Sequence, residues 1–245
     1  MNEPIDVPTR ETAEFVAAHV PPRAAILEVG CGAGHVAVEL SSRGYQVLGV
    51  DSDEDVIARA QARGAPVVQA SWPDFRGAPV DAVVFTRSLH HIHPLREAVS
   101  QSRAILRPAG TLLVEDFAFD EADPVTITWF LKILGGQAAQ ALIASIPDAF
   151  VTKLLASPDP AAEWHKNHDH ELHPVSAMTG AIAEYFTLRD ARSAPYLYRY
   201  LIPVLPETPE ATAFVEEVRQ EEARLGERGE ITLIGRRLVG SAQES

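Results

Sequence analysis

A glycine-rich segment near the N-terminus constrains the fold more than any other feature of this chain. Residues 26–34 read Ile-Leu-Glu-Val-Gly-Cys-Gly-Ala-Gly, and a run suited to a helix follows them. Apolar residues that lead into alternate glycines and then into a helix predict a strand, a tight turn and a helix. Glycine suits such a turn because it has no Cβ, so the backbone can adopt unusual angles and a ligand can approach it closely. The helix would direct unpaired N–H groups at that ligand, so the segment predicts a ligand-binding loop.

The spacing of the glycines separates two classes of nucleotide-binding loop. The dinucleotide fingerprint needs the register Gly-x-Gly-x-x-Gly, and the third position of that register falls here on His35 or Ala37. The observed order, Glu-x-Gly-x-Gly-x-Gly beginning at Glu28, resembles motif I of the class I S-adenosylmethionine-dependent methyltransferases. A glycine-rich turn that binds no ligand is the alternative.

Asp51 follows the second predicted strand, residues 45–50. An acidic residue at the end of the second strand of a βαβ unit can accept hydrogen bonds from both hydroxyls of a ribose. The alternative is that Asp51 only caps a helix that begins near Asp53. Because a glycine loop precedes Asp51 at a suitable distance, the ribose role is favoured.

Three further segments extend the resemblance to residues 25–117. In the resembling family an Asp often follows the third strand and accepts the adenine amino group, and here Ser71 and Trp72 occupy that place. Trp72 would cover the adenine ring or belong to the core. A Leu-His-His run at 89–91 is similar to the segment that lies beside the methionine end of the cofactor, and the Arg-Pro-Ala-Gly run at 107–110 also matches. The resemblance implies that the residues that bind S-adenosylmethionine are Glu28, Gly30, Cys31, Gly32, Gly34, Asp51, Ser52, Ser71, Trp72, Thr86, Arg87 and His91.

Alternation of short apolar strands with helices predicts an α/β fold with a parallel sheet and right-handed crossovers. The predicted fold is a doubly wound, mostly parallel, seven-stranded sheet, with strands six and seven at 186–191 and 230–239 paired antiparallel as in the resembling fold. One domain is predicted for residues 1–245. Its parts are an N-terminal helix in 1–24, a cofactor-binding core in 25–117, a helical lid in 118–175 and a C-terminal part in 176–245.

The predicted lid contains an unusual set of histidines. Residues 164–174 read Trp-His-Lys-Asn-His-Asp-His-Glu-Leu-His-Pro. Imidazoles can transfer protons near neutral pH or bind a metal, and a polar surface helix is the third interpretation. We expect His170 or His173 to act as the catalytic base, with Glu115 as an orienting group or alternative base. We expect no bound metal, and the residues that would serve a metal site are His165, His168, His170 and His173.

Charge and composition exclude several classes of partner. The chain has 34 acidic and 21 basic residues, a formal net charge of −13. This charge repels a phosphate backbone, so no nucleic-acid partner is expected. Cys31 is the only cysteine, so no intrachain disulfide can form.

Neither the N-terminus nor the apolar segments predict secretion or a membrane span. The N-terminus lacks a basic segment followed by an apolar core, as a secretory signal would have. The most apolar window, 125–146, is interrupted by Lys132 and by two adjacent glycines, which argues against a membrane span. We expect a cytoplasmic protein, monomeric or homodimeric, with no membrane partner.

The function that the resemblance implies is transfer of a methyl group from S-adenosylmethionine to a small-molecule acceptor through oxygen, nitrogen or carbon, with S-adenosylhomocysteine as product. Two alternatives remain. A non-catalytic S-adenosylmethionine-binding partner or regulator would keep the loop and Asp51 but would need no base. A nicotinamide-dependent reductase would need the other glycine register.

Overall fold

The computed structural model describes residues 3–147, 149–168 and 171–242. The chain divides into two compact units. The first unit contains residues 9–116, 173–192 and 236–245, and the second unit contains residues 1–8, 117–172 and 193–235. Most of the segment 118–175 therefore shares a unit with residues 193–235. Its role as a lid and the single-domain organisation stay predictions.

A seven-stranded sheet has the strand order β3-β2-β1-β4-β5-β7-β6. Its strands are β1 Ala25–Val29, β2 Gln46–Asp51, β3 Val67–Gln69, β4 Val80–Thr86, β5 Leu106–Phe117, β6 Phe186–Ala194 and β7 Gly235–Ala242. The sheet is mostly parallel with one antiparallel hairpin, which confirms the predicted fold class. Parallel pairing joins β1 to β2 and β4, and aligns Glu28 with Gly49 and Val84.

Helices connect the strands of the first unit. They are α1 Asp6–Ala17, α2 His35–Ser42, α3 Glu54–Ala62, α4 Leu95–Ile105 and α9 Val175–Ala183, with a 3-10 helix at Leu89–His91. β1 and β4 lie in the middle of the sheet and are apolar almost throughout, because parallel strands are covered on both faces. Ile26, Val84 and Leu113 are buried in the core with Leu40 of α2. This packing fixes the carboxyl ends of β1, β2 and β4, where the site residues lie.

The second unit is mainly helical. Its helices are α5 Pro124–Gly135, α6 Gln137–Leu142, α7 Phe150–Ala156, α8 Pro160–Asn167 and α10 Pro209–Glu227, with 3-10 helices at Phe119–Glu121 and Leu197–Val204. Its core includes the fully buried Phe130, Leu134 and Trp164. Nowhere in 3–147, 149–168 or 171–242 is a helix both long enough and apolar enough to cross a membrane.

The last strand begins later than the sequence pattern predicts. β7 starts at Gly235 instead of residue 230. The reason is a competing hydrogen bond: the backbone N–H of Thr232 donates to Oγ1 of Thr126, 2.8 Å away, and the Thr232 hydroxyl donates to Asp123. The 230–234 segment is therefore hydrogen-bonded to the start of α5 and does not extend the strand.

Candidate active site

The glycine loop joins β1 to α2 as predicted, and two of its glycines are sterically required. Gly30 has φ of +69°, and a Cβ there would lie 2.3 Å from the Cβ of Ser88. Gly34 has φ of +76°, and a Cβ there would lie 2.6 Å from the Cβ of Ala65. Ser88 is itself fixed, because its hydroxyl donates to the carbonyl of Val29, 2.6 Å away. The loop therefore tolerates no side chain at these two positions.

Gly30→Ala should destabilise the protein by about 1–2 kcal/mol from the left-handed backbone alone. Relief of the contact with Ser88 would also displace the loop. Urea unfolding measures the first effect. Gly180→Ala is the matched control, because Gly180 lies in α9 and a Cβ there meets nothing within 4 Å. The control should be neutral or slightly stabilising, and an equal loss in both variants would contradict the steric account.

The carboxyl of Glu28 lies beneath the loop and is 1% exposed. Its Oε1 accepts a hydrogen bond from the Thr86 hydroxyl at 2.8 Å, whereas its Oε2 is buried without a hydrogen-bond partner among the described residues. Burial raises the pKa of Glu28 to about 7, against the lowering effects of Thr86 and Arg87. A buried carboxyl oxygen with unused bonding capacity can serve a cationic or N–H-bearing ligand.

Cys31 lies in the same loop. Burial, with the nearby carboxylates of Glu28 and Asp51, raises the pKa of its thiol to about 12. The thiol is therefore protonated at neutral pH and is not a nucleophile.

Asp51 ends β2 beside the loop. Its Oδ2 accepts the backbone N–H of Gly32 at 3.0 Å, and its Oδ1 accepts that of Asp53 at 3.1 Å. The helix that follows is capped by Asp53, whose side chain accepts from the N–H of Val56. Asp51 is thus not the cap of α3, and each of its carboxylate oxygens retains a lone pair for a ligand.

A cavity of about 700 Å³ opens over the carboxyl ends of β1 to β4. This volume is within the usual range for small-molecule sites. The predicted residues that line it are Gly30, Asp51, Ser52, Ser71, Trp72, Arg87 and His91. The remaining predicted residues, Glu28, Cys31, Gly32, Gly34 and Thr86, belong to the loop or to the strand ends beside it and are not part of the cavity wall.

Trp72 belongs to the core as well as to the cavity wall. Its side chain is 9% exposed, its indole N–H donates to the carbonyl of Ala98 at 3.1 Å, and its ring meets Phe85 edge to face. These contacts fix the indole and leave it no free polar group. Of the two interpretations given above, core packing describes most of its contacts.

A histidine–aspartate pair lies where β4 and β5 end. Nδ1 of His90 is 2.6 Å from Oδ1 of Asp116, and both side chains are almost fully buried. The backbone N–H of His90 also donates to Oδ2 of Asp116, 3.2 Å away. The ring of His91 lies 4.0 Å from that of His90 and lines the cavity. An imidazole fixed by a carboxylate in this way is suited to proton transfer.

His173 belongs to the same unit as this pair. Its backbone N–H donates to the carbonyl of His90, its Nε2 lies 3.1 Å from the carbonyl of Ile92, and its ring packs on that of His93. Burial lowers the pKa of His173, and the neighbouring His93 and His90 lower it further. Because Nε2–H is used by the Ile92 carbonyl, His173 serves to hold the 90–92 segment. Its role as base stays a prediction.

The other members of the predicted histidine set are His165, His168 and His170. His165 is exposed on α8, and His170 lies outside the described residues. His168 is buried in the second unit, where its ring nitrogens contact the Trp164 carbonyl and the Tyr200 hydroxyl at 2.7 and 2.9 Å. Among the described residues, no group of three or more His, Cys, Asp or Glu side chains could hold a metal ion.

Glu115 is occupied by structural contacts. Its carboxylate accepts from Nε of Arg237 at 2.9 Å and from the hydroxyl of Thr12. Successive side chains of a strand point to opposite faces, so Glu115 turns to Arg237 and Asp116 turns to His90. The carboxylate of Glu115 is thus held in an ion pair with Arg237. Its role as an orienting group or alternative base stays a prediction.

Sequence reasoning missed several residues of the site. Besides Asp116, they are Ser88, which closes on the glycine loop, and Asp74, His93 and Glu97, which line the cavity. The adjacent Glu115 and Asp116 were a signal for a carboxylate at this place, but the pattern did not indicate which of them faces the histidines.

The features of the glycine loop and of the cavity beside it fit S-adenosylmethionine. The loop forms a cradle that a Cβ at Gly30 would fill, and Oε2 of Glu28 is a buried acceptor without a hydrogen-bond partner among the described residues. Asp51 offers carboxylate oxygens at the place where a ribose is bound in such sheets.

Comparison with known proteins supports this interpretation. Residues 6–168 match the family model described as a methyltransferase domain. An uncharacterized methyltransferase of Mycobacterium tuberculosis is 39% identical over 98 residues, which are 38% of this chain and 50% of the relative. The 27-O-demethylrifamycin SV methyltransferase of Amycolatopsis mediterranei is 28% identical over 125 residues, which are 44% of this chain and 45% of that protein. The chain thus matches about half the length of these curated relatives.

A solved structure shows the same fold. The S-adenosylmethionine-dependent methyltransferase of Mesorhizobium loti aligns with 95% of this chain and 99% of its own, with a TM-score of 0.58 and 16% identity. Because the family model covers more than half of the chain, the chain belongs to the methyltransferase domain family of class I enzymes, and S-adenosyl-L-methionine is its cofactor.

Proposed function

We propose that this protein methylates a hydroxyl group of a small-molecule acceptor and releases S-adenosylhomocysteine. When bound, S-adenosylmethionine supplies an electrophilic methyl group on a sulfonium. The protein then has to align the acceptor and remove its proton. The observation that carries the choice of a hydroxyl is the buried contact between His90 and Asp116, because a neutral hydroxyl needs a base to become a good nucleophile.

In this proposal Asp116, whose Oδ1 lies 2.6 Å from Nδ1 of His90, positions the imidazole that accepts the proton. His90 itself is not part of the cavity wall, and the ring of His91, which is, lies 4.0 Å from the ring of His90. The acceptor oxygen forms its bond to the methyl carbon as the carbon–sulfur bond breaks, and the hydroxyl proton passes to His90. Asp116 acts as a positioning residue, since both of its carboxylate oxygens contact His90. The rifamycin relative, whose name describes methylation at oxygen, supports an oxygen acceptor.

The cofactor pose follows from the same cavity. We place the homocysteine portion over the loop at residues 30–34 and the ribose on Asp51. Arg87 and His91 then line the methionine side, and Ser52, Ser71 and Trp72 the nucleoside side.

Asp51→Ala should weaken binding of S-adenosylhomocysteine by about ten- to hundredfold, because a charge-assisted hydrogen bond contributes about 1.5–3 kcal/mol. Calorimetric titration measures the change. Asp53→Ala is the matched control: it removes the cap of α3 and should leave affinity nearly unchanged. Wild-type affinity in Asp51→Ala would refute the ribose assignment.

Acceptor class is tested by methyl transfer from labelled S-adenosylmethionine to matched small molecules that differ only in bearing a hydroxyl, an amine or an activated carbon. The proposal expects the label on the hydroxyl compound. Transfer to the amine or the carbon alone would refute it. A non-catalytic binding protein would bind the cofactor but transfer no label to any acceptor.

We also propose that the segment 118–175 acts as a lid. It contains helices α5 to α8. Gly135 and Gly136, at the junction of α5 and α6, and several prolines separate these helices. Lids exclude water and complete the pocket. Hydrogen exchange in this segment should slow when cofactor and acceptor are both bound. Slow exchange without ligands, unchanged by their addition, would identify the segment as a rigid core.

A further inference from the structure

The cavity wall carries one side chain with a permanent positive charge. Among the described residues that line the cavity, Arg87 is the only arginine, and none is a lysine. Its guanidinium forms no hydrogen bond or ion pair with any of the described residues. A guanidinium presents a planar fork of donors that matches the two oxygens of a carboxylate. The cavity therefore contains a group suited to binding an anion.

The backbone at Arg87 adopts a conformation that favours glycine. Its φ is +59°, and its N–H donates to the carbonyl of Glu115, 2.7 Å away. A residue with a side chain is uncommon in this left-handed region, and such strain is found mainly at functional sites. Stability alone would favour glycine at this position, which indicates that the arginine side chain has a function.

The acidic side chains of the cavity wall lie away from Arg87. Asp51 ends β2, whereas Asp74 and Glu97 also line a neighbouring cavity of about 250 Å³ of which Arg87 is not a part. Arg87 does act on Glu28, whose pKa it lowers, but burial raises that pKa to about 7 and keeps the carboxyl mostly uncharged at lower pH. The guanidinium is therefore available to an anionic ligand.

The order of the strands places Arg87 on the acceptor side of the cofactor. β4 lies between β1 and β5, and Arg87 follows Thr86, the last residue of β4. In the proposed pose the ribose lies at the end of β2 and the homocysteine portion at the end of β1. β4 is the next strand away from the nucleoside, and the pair of His90 and Asp116 lies where β4 and β5 end. Arg87 thus follows the same strand as the proposed base.

We propose that Arg87 binds a carboxylate of the acceptor, which makes the acceptor a hydroxy acid. This inference rests on the proposed function and on the proposed cofactor pose. The contact orients the acceptor toward the sulfonium and selects hydroxy acids over neutral alcohols of the same shape. Arg87 is then a residue that determines specificity and takes no part in proton transfer.

The test uses benzoate and benzamide as probes, because they have nearly the same shape and differ in charge. Calorimetry is done at pH 6 on protein saturated with S-adenosylhomocysteine. Wild type should bind benzoate about ten- to hundredfold more tightly than benzamide, the contribution of one charge-assisted contact. Arg87→Gln should bind the two within about threefold of each other. Arg63→Gln is the matched control: Nε of Arg63 donates to the carbonyl of Ala33 in the glycine loop, but Arg63 does not line the cavity. The control should keep the wild-type preference.

The affinity for S-adenosylhomocysteine separates a carboxylate of the acceptor from the carboxylate of the cofactor itself. Arg87→Gln should bind S-adenosylhomocysteine within about threefold of wild type. A loss of about tenfold or more would assign the guanidinium to the cofactor and overturn the proposal.

Other results would also overturn it. They are a wild type that shows no preference or binds neither probe, a preference retained in Arg87→Gln, and a preference lost in Arg63→Gln. Arg87→Gly should lose the preference and be at least as stable as wild type in urea unfolding, so a clear loss of stability would identify Arg87 as a structural residue. Probe binding needs no methyl transfer, so failure of the proposed hydroxyl methylation in the labelling experiment is a separate result.

Discussion

His90→Ala is expected to lower kcat for methyl transfer by about a hundred- to ten-thousandfold, because a positioned general base contributes a factor of this size. The loss should appear in kcat while the affinity for S-adenosylhomocysteine stays near that of wild type. Steady-state kinetics measures the loss in kcat, and calorimetry measures the affinity for the cofactor product.

Two further variants distinguish the role of His90 from those of Asp116 and His91. Asp116→Asn should also lower kcat, with little change in KM, because the amide no longer fixes the imidazole as a carboxylate does. His91→Ala is the comparison variant, because the ring of His91 lies 4.0 Å from that of His90 and lines the cavity. If His91→Ala loses the rate while His90→Ala keeps it, the base is His91 and the proposed assignment is wrong.

The free protein should lose stability through Glu28 as the pH rises. Burial raises the pKa of Glu28 from 4.5 to about 7 in the folded protein. The folded state therefore binds this proton more tightly than the unfolded state does. The contribution is fully present below about 4.5 and is lost as the pH rises through about 7. From 1.36 kcal/mol per pKa unit, the loss is up to about 3 kcal/mol.

Glu28→Gln isolates this effect, because the amide has a similar shape and no charge. Urea unfolding at pH 5 and pH 8 without ligands should show the variant gaining on wild type by up to about 3 kcal/mol at the higher pH. Glu222 is also buried with a raised pKa, but it is present in both proteins and cancels from the comparison. An equal difference at both pH values would show that Glu28 is not protonated in the fold.

The geometry of the glycine loop could be predicted because the residues that determine it are close together in sequence. The glycines, Glu28 and Asp51 act through a strand–turn–helix unit and the next strand, and their spacing specifies that geometry. The same holds for the sheet, whose short apolar strands alternate with helices. The packing of Trp72 could not be predicted from local sequence, because its side chain contacts Ala98 and Phe85, which are distant in sequence.

The histidines could not be assigned from the sequence because their partners are distant. His168 was grouped with His173, which lies five residues away in sequence, yet its partners are the carbonyl of Trp164 and the hydroxyl of Tyr200 in a buried aromatic cluster. His173 instead contacts the backbone around Ile92. The choice between Glu115 and Asp116 depended on strand orientation, which a two-residue polar pair does not reveal.

The most direct test of the cofactor assignment is a calorimetric titration of the wild-type protein with S-adenosylhomocysteine and, separately, with NADH. The cavity, the glycine register and Asp51 predict that S-adenosylhomocysteine binds at one site per chain and that NADH does not bind. Binding of NADH without binding of S-adenosylhomocysteine would contradict the assignment and favour the reductase alternative.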